Sequence, residues 1–145
     1  MTRRRQSLGR EGEARAARYL EARGYQIVAR NVRAERVEID LVAIDGRRLV
    51  FVEVKTRRAD GRSGMGRHTH AAEAVDPRKQ ARLRRGAMAW LDATPEIARA
   101  TRGLRFDVVT CLVEGVPGSR NENTALPSGV EGGERWSFEL WRSAF

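Results

Sequence analysis

The stretch VEIDLVAIDGRRLVFVEVK, residues 37–55, decides the fold of this chain. It contains two apolar runs on either side of Asp45-Gly46, a dipeptide that is typical of a tight β-hairpin turn. Both runs are rich in β-branched residues and have the length of ordinary strands. The stretch therefore predicts two adjacent antiparallel strands.

Among the charged side chains of this hairpin, three lie within its apolar runs at positions that can converge: Asp40, Glu53 and Lys55. Because side chains alternate between the two faces of a strand, Glu53 and Lys55 point the same way, and Asp40 can lie opposite them across the hairpin. Such a cluster is costly to bury without partners, and a divalent metal or a phosphate is its natural complement. The pattern is typical of a metal-dependent nuclease.

Helical and strand patterns continue on both sides of the hairpin. We predict a helix over residues 8–23, strands over residues 25–32, 37–44 and 48–56, a helix opened by Asp76-Pro77 and ending near residue 93, and strands over residues 104–113 and 135–141. A short helix is expected over residues 95–100. The order α-β-β-β-α-β-β predicts an α/β fold, with a mixed sheet flanked by helices.

The length of 145 residues and the hydrophobic content of 41% fit one domain with a single core. We therefore expect residues 1–145 to form a single domain. Its basic start, about residues 1–7, is expected to be flexible. A Gly-, Pro-, Ser- and Asn-rich segment, about residues 114–133, is expected to be a long exposed loop.

The formal net charge of +9 points to a polyanionic partner, and nucleic acid is the first candidate. Only two of the 28 basic residues are lysines, Lys55 and Lys79. The chain thus uses arginine at nearly every position that needs only a positive charge. A lysine at position 55 therefore indicates a role for an ammonium group, whose pKa can shift. We predict phosphate contacts for the basic residues of the loop after residue 56 and of the next helix: Arg57, Arg58, Arg62, Arg67, Arg78 and Lys79.

The single cysteine, Cys111, lies in a strand-like run and is expected to be a buried thiol in a reducing cytoplasm. No apolar stretch approaches the roughly 20 residues of a membrane helix, so no membrane partner is expected. His68 and His70 are too few ligands for a closed zinc site, and we interpret them as a loop feature. Trp90, Trp136 and Trp141 are expected in the core or at a dimer interface. Asp107 is interpreted as a buried, hydrogen-bonded acid that supports the site.

Short segments in a fixed order along residues 9–113 carry a further signal: Gly9-Arg10-Glu11-Gly12-Glu13, Asn31-Val32-Arg33, Glu38-Ile39-Asp40-Leu41, Val50-Phe51-Val52-Glu53-Val54-Lys55-Thr56-Arg57, Arg78-Lys79-Gln80 and Arg105-Phe106-Asp107-Val108-Val109. In these segments the chain resembles the YraN-like family of predicted endonucleases (UPF0102). That family has a restriction-endonuclease-like core and is distantly similar to archaeal Holliday-junction resolvases. Val37 stands where the family usually has glycine.

The resemblance implies a divalent-metal-dependent endonuclease that acts on DNA, selects branched or repair intermediates by their structure, and forms a homodimer. Asp40, Glu53 and the backbone carbonyl of Val54 would bind Mg²⁺ or Mn²⁺, which prefer oxygen ligands. Lys55 would orient or deprotonate the attacking water. Glu13 resembles the additional helix acid of the resolvases.

Several alternatives stay open at this point. Glu38 either lines the site or caps the edge of the sheet, and Gln80 either positions a phosphate or water or is an ordinary helix glutamine. The same fold could also serve as a non-catalytic nucleic-acid-binding module or as an RNA-processing nuclease, because phosphate contacts alone do not distinguish DNA from RNA.

Overall fold

The computed structural model describes residues 3–59, 75–115, 130–131 and 133–145. The elements along the chain are α1 (Arg3–Ala22), β1 (Gln26–Ala34), β2 (Val37–Asp45), β3 (Arg48–Arg58), α2 (Pro77–Asp92), α3 (Pro95–Ala100), β4 (Leu104–Gly115), β5 (Val130–Glu131) and β6 (Glu134–Trp141). The predicted fold class and element order are confirmed. Five main strands and the two-residue β5 form one mixed sheet.

Many element bounds differ from the prediction by one or two residues, and two differences are larger or change the expected organisation. α1 begins at Arg3 instead of residue 8, so residues 3–7 of the expected flexible start are helical. Residues 114–115 and 130–131 of the expected loop belong to strands β4 and β5, and residues 116–129 and 132 lie outside the described part of the chain. Apolar periodicity underestimated α1 and β4 because the residues missed at their ends are polar or exposed.

The sheet has the strand order β1-β2-β3-β4-β6-β5. β3 and β4 are parallel, and the connection between them includes α2; all other neighbours are antiparallel. One core cluster lies between the sheet and α1, and a second lies between the other face and α2. The protein is therefore a three-layer α/β/α arrangement.

Local sequence explains both long helices. Gly12, Ala16 and Leu20 recur at a spacing of four and form the buried stripe of α1. α2 begins as the sequence predicts, because the Asp76 carboxylate accepts a hydrogen bond of 2.9 Å from the backbone N–H of Lys79, and Pro77 occupies the first turn. No helix among the described residues is both long and apolar enough to cross a membrane.

The pairing of β2 with β3 stops partway along both strands. Their ladder ends at the Leu41–Val52 pair. β2 nevertheless stays paired with β1 down to Val37, and β3 stays paired with β4 up to Arg58. The sheet therefore divides beyond Leu41 and Val52 into two ribbons, one made of β1 and β2 and the other of β3 and β4.

Two glycines hold a different helix against each ribbon. A Cβ on Gly12 of α1 would lie 3.0 Å from the Cβ of Thr56 on β3 and closer still to its hydroxyl. A Cβ on Gly86 of α2 would lie 2.9 Å from the Cβ of Val37 on β2. Since only glycine permits such close approach, α1 is fixed to one ribbon and α2 to the other.

The predicted core positions of the tryptophans and the cysteine are confirmed. Trp136 is buried in the α1-side cluster, and Trp90 and Trp141 pack against the α2-side cluster. Cys111 is buried, and burial raises the pKa of its thiol to about 12. The thiol is therefore protonated and structural.

A buried ionic network ties the C-terminal segment to the sheet. Asp107, which is fully buried, accepts bonds of 2.8 and 2.9 Å from the Arg105 guanidinium, 3.1 Å from the backbone N–H of Ser143 and 3.2 Å from the Tyr25 hydroxyl. Arg105 also reaches Asp45, at the turn end of β2. Asp107 is thus buried and bonded as expected. It lies in register with Val52, next to Glu53, and the groups that bond to it tie Tyr25 and the C-terminal segment to β4.

We expect Asp107→Asn to lower the free energy of unfolding by about 3 kcal/mol, because it leaves the nearly buried Arg105 guanidinium without its main counter-charge. The matched control is Asp45→Asn, whose carboxylate is 29% exposed and should cost less than about 1 kcal/mol. Urea unfolding measures the free energy of unfolding of both variants. Equal losses in the two variants would contradict this assignment.

Candidate active site

The end of the β2–β3 ladder brings Asp40 into the sheet itself. The backbone N–H of Val54 donates a hydrogen bond of 2.8 Å to the Asp40 carboxylate, so this side chain takes the place of a strand carbonyl. The N–H and C=O of one strand residue face the same edge, so the carbonyl of Val54 is also directed toward β2. Asp40 and the Val54 carbonyl thus share the gap between the ribbons.

Glu53 lies on the α2 face of the sheet and carries two positive neighbours. Its carboxylate is only 6% exposed. It accepts a short hydrogen bond from the ammonium of Lys79 on α2, and the ammonium of Lys55 lies 3.7 Å away. Both lysines of the chain therefore meet at this one buried carboxylate.

Glu13 reaches the same gap from the opposite side of the sheet. α1 packs on the face away from α2, and the Gly12–Thr56 contact sets the neighbouring Glu13 beside the divided strands. The Glu13 carboxyl lies close enough to Asp40 and to the amide of Asn31 for both to favour its charged form. Burial, followed by the negative charge of Glu38, raises the pKa of Glu13.

Asp40 has the most strongly shifted carboxyl of the group. Burial, then the charge of Glu53, raises its pKa from the ordinary 3.8 to about 8. The Val54 hydrogen bond, which favours the charged form, does not offset these effects. At neutral pH Asp40 is therefore mostly protonated, and the acids lack enough positive charge to ionise together.

The two lysines respond in opposite ways to this environment. Burial and the nearby charge of Lys79 lower the pKa of Lys55. Burial also lowers the pKa of Lys79, but its contacts with Glu53 outweigh that effect and the net pKa is raised. Lys55 is thus the lysine whose proton is more easily lost, which suits the water-activating role predicted for it.

A cleft of about 290 Å³ opens onto these groups. It lies between β2 and α2, with Asp40 and Glu53 as its acidic floor. Its remaining lining residues are Arg36, Val37, Glu38, Lys79, Arg82 and Leu83. A ligand could therefore reach the carboxylates from solvent.

The structure brings together Asp40, Glu53, Lys55 and Glu13, as the sequence predicts for a catalytic group. Glu38 is exposed at the edge of the cleft. Gln80 is engaged locally, since its amide nitrogen donates a bond of 3.0 Å to the Val75 carbonyl before α2. That contact stabilises the start of the helix, and no contact with the acids is recorded for Gln80.

The residues predicted to bind nucleic acid are distributed over different surfaces. Arg57 and Arg58 line a second cleft of about 660 Å³ together with Arg4 and Arg5, and Arg58 pairs with Glu134. Arg78 is exposed on α2. Lys79, predicted to meet phosphates, instead lies inside the site on Glu53. Four further residues lie outside the described part of the chain: Arg62, Arg67, His68 and His70.

Sequence reasoning missed two contributors, Asn31 and Arg36. Asn31 has a left-handed φ of 49° next to Asp40 and supports Glu13. Asparagine tolerates this conformation well, so the residue type was the available signal. Arg36 lies in the turn between β1 and β2, and nothing in a linear pattern links this turn to the cleft.

The residues fit a magnesium-type ion better than a closed metal centre. Among the described residues, no three carboxylate, imidazole or thiol groups are arranged to enclose a metal. Mg²⁺ needs only one or two carboxylates, because it keeps several waters and takes substrate oxygens. Asp40, Glu53 and the Val54 carbonyl meet that requirement, and the excess of buried acid is the feature that a divalent cation would neutralise.

Comparison with known proteins identifies relatives across most of the chain. Residues 12–111 match the family model described as "Uncharacterised protein family UPF0102". The chain is 42% identical over 136 residues to a UPF0102 protein of Synechococcus sp. (strain JA-3-3Ab), covering 94% of each chain. It is 46% identical over 109 residues to UPF0102 protein CT2262 of Chlorobaculum tepidum, covering 74% of this chain and 76% of that one. None of these names states an activity.

The raised pKa of Asp40 makes stability depend on pH. Between about pH 4 and pH 8 the folded protein holds a proton on Asp40 that the unfolded chain releases, so the free energy of unfolding falls as pH rises, by up to about 1.4 kcal/mol per pH unit. We expect Asp40→Asn to remove this slope and to be more stable than the wild type near pH 8.

Urea unfolding across this range measures the effect, and a carboxyl NMR titration should show an Asp40 midpoint near pH 8. Asp92→Asn, at an exposed position at the end of α2, is the matched control and should leave the slope unchanged. An Asp40 that titrates near 4 would refute the buried acid cluster.

Proposed function

Because the chain belongs to the uncharacterised protein family UPF0102, whose name assigns no activity, we propose a function from the site itself: a divalent-metal-dependent endonuclease that acts on DNA. The proposal includes selection of branched recombination or repair intermediates by their structure. Arginine-rich surfaces support this part, since phosphate contacts orient a protein on nucleic acid without reading its sequence.

One observation carries the proposal. Two acids at the floor of an open cleft, Asp40 and Glu53, lie close to a lysine of lowered pKa, Lys55, whose ammonium is 3.7 Å from Glu53, in a strongly basic protein. Carboxylates close enough to repel one another, beside a lysine whose pKa is shifted from its ordinary value, are typical of catalytic sites. A purely structural ion pair would need neither the third acid, Glu13, nor the cleft.

When bound, Mg²⁺ or Mn²⁺ supplies an acidified water and neutralises charge on the reacting phosphate. Asp40, Glu53 and the Val54 carbonyl would hold the ion. Lys55 orients the attacking water or takes its proton, since it is the more easily deprotonated lysine. Glu13 lies beside Asp40 and supplies a further carboxyl group to the site. Lys79 holds the Glu53 carboxylate in the protein alone and would have to share it with the ion.

A non-catalytic nucleic-acid-binding module is the second candidate, and the Lys79–Glu53 contact favours it. Glu53 is already neutralised by one ammonium and approached by another. If that arrangement persisted with ligand bound, the protein would bind nucleic acid through its charge and shape but would not cleave it.

An RNA substrate in place of DNA is a further form of the proposal. Expected homodimer formation and a cytoplasmic location belong to the proposal as well.

We expect Asp40→Asn and Glu53→Gln each to lower Mg²⁺- or Mn²⁺-dependent cleavage of branched DNA by about a hundred-fold or more, as when a key electrostatic group is removed from a reacting centre. DNA affinity should stay similar or rise, because a carboxylate near phosphate is removed. Nicking and binding assays measure the two effects. Wild-type cleavage by either variant would place the site elsewhere.

A second readout of the same variants does not depend on cleavage. At neutral pH, metal binding should release protons from the site, because Asp40 holds one before the ion binds. Calorimetry in buffers of different ionisation enthalpy counts these protons. Asp40→Asn should abolish the release, and Asp92→Asn should retain it. Metal binding without proton release would contradict the proposed ligand set.

We expect Lys55→Arg to fail to restore cleavage, although it keeps the positive charge. The guanidinium is larger than the ammonium and does not give up its proton, so it cannot activate water. Arg78→Lys, at an exposed position on α2, is the control and should cleave normally. Full activity of Lys55→Arg would reduce Lys55 to neutralising charge on Glu53.

A further inference from the structure

Two exposed arginines line the cleft beside its acidic floor. Arg36 lies in the turn between β1 and β2, and Arg82 lies on α2, one turn after Lys79. Both are exposed and line the same cleft as Asp40 and Glu53. A ligand bound over the two acids therefore occupies the same cleft as both arginines.

Neither arginine forms an ion pair in the described part of the chain, although the charge of Arg82 acts on the exposed carboxylate of Asp76 at the start of α2. Within residues 3–59, 75–115 and 133–145, no carboxylate forms an ion pair with Arg36 or Arg82. Other exposed arginines do have such partners: Arg30 pairs with Glu21 at 3.5 Å, and Arg58 pairs with Glu134. The charges of the two cleft arginines are thus available to an anionic ligand.

The backbone at Arg36 is held in an unfavourable conformation. Glu35 and Arg36 form a two-residue turn between the paired Ala34 and Val37, and their φ angles are 52° and 62°. Turns of this kind favour Asn-Gly, because left-handed backbone is costly for a residue with a Cβ. Strain of this kind is a reason to look for a function of the Arg36 side chain.

The same turn is locked to α2. The missing side chain of Gly86 lets the helix approach Val37 and, at 3.3 Å from an ideal Cβ, the carbonyl of Ala34. Arg82 lies one helical turn before Gly86, and Arg36 adjoins Val37. The two arginines therefore project from backbone segments whose separation is fixed by direct contact.

We propose that Arg36 and Arg82 form a phosphodiester-binding subsite, which holds a backbone phosphate of nucleic acid next to the one that lies over Asp40 and Glu53. The guanidinium group matches phosphate through paired N–H donors, and it stays charged at any working pH. Two such groups also offset the repulsion between a phosphate strand and the acidic floor. The subsite rests on the proposed function, because it takes the same nucleic acid strand as that site.

The test measures binding of a labelled DNA duplex in EDTA, without cleavage, over a series of salt concentrations. Each lost phosphate contact lowers the slope of log K against log salt by about 0.9. We expect that reduction for Arg36→Gly and for Arg82→Ala, and about twice as much for the double variant. Since glycine relieves the left-handed turn, Arg36→Gly should melt at or above the wild-type temperature while binding less well.

The matched control is the double variant Arg99→Ala with Arg102→Ala, which removes the same charge from exposed positions near the β2–β3 turn, at the far end of the sheet. Its salt slope should equal that of the wild type. Wild-type slopes for both Arg36→Gly and Arg82→Ala would overturn the subsite, even if cleavage depended on Asp40. Reduced slopes in a protein that never cleaves would support the subsite and overturn the proposed endonuclease.

Discussion

The hydrogen bond from the Val54 backbone N–H to the Asp40 carboxylate is the interaction on which the site depends. In a continuous ladder this N–H would bond to a strand carbonyl, and β2 and β3 would stay together. Because a side chain accepts the bond instead, the two strands separate without leaving a buried donor unsatisfied. The separation creates the gap that Glu13 enters from one face, while Lys79 approaches Glu53 from the other.

The balance between carboxyl and ammonium groups around this gap is unusual. Three carboxyl groups meet near Asp40, and burial together with their mutual repulsion raises the pKa of Asp40 to about 8. The opposing cations are Lys55 and Lys79, the only lysines in a chain that otherwise uses arginine. The protein alone therefore relies on a proton and two ammonium groups where a divalent ion would suit the acids better.

The ionic network of Asp107 extends from a position beside Val52 toward the turn end of β2, whereas the candidate site lies where β2 and β3 divide. Through their hydrogen bonds, Arg105 and Asp107 join the start of β1, the turn end of β2 and the C-terminal segment. Where the strands divide, two close glycine contacts hold α1 against one ribbon and α2 against the other. The helices thus fix the two ribbons where the β2–β3 ladder is absent.

The sequence by itself determined the hairpin, the helix start at Asp76, the common face of Glu53 and Lys55, and the α/β class. It could do so because turn chemistry, helix capping and side-chain alternation act between residues that are neighbours in the chain. Only the tertiary structure decided that β2 and β3 separate, that Lys79 joins the site instead of the surface, and that Asp107 bonds to Tyr25 and to the C-terminal segment. It also brought Arg36 to the cleft. These placements depend on where the ladder stops and how closely each helix approaches its ribbon, and both are set by contacts between residues far apart in sequence.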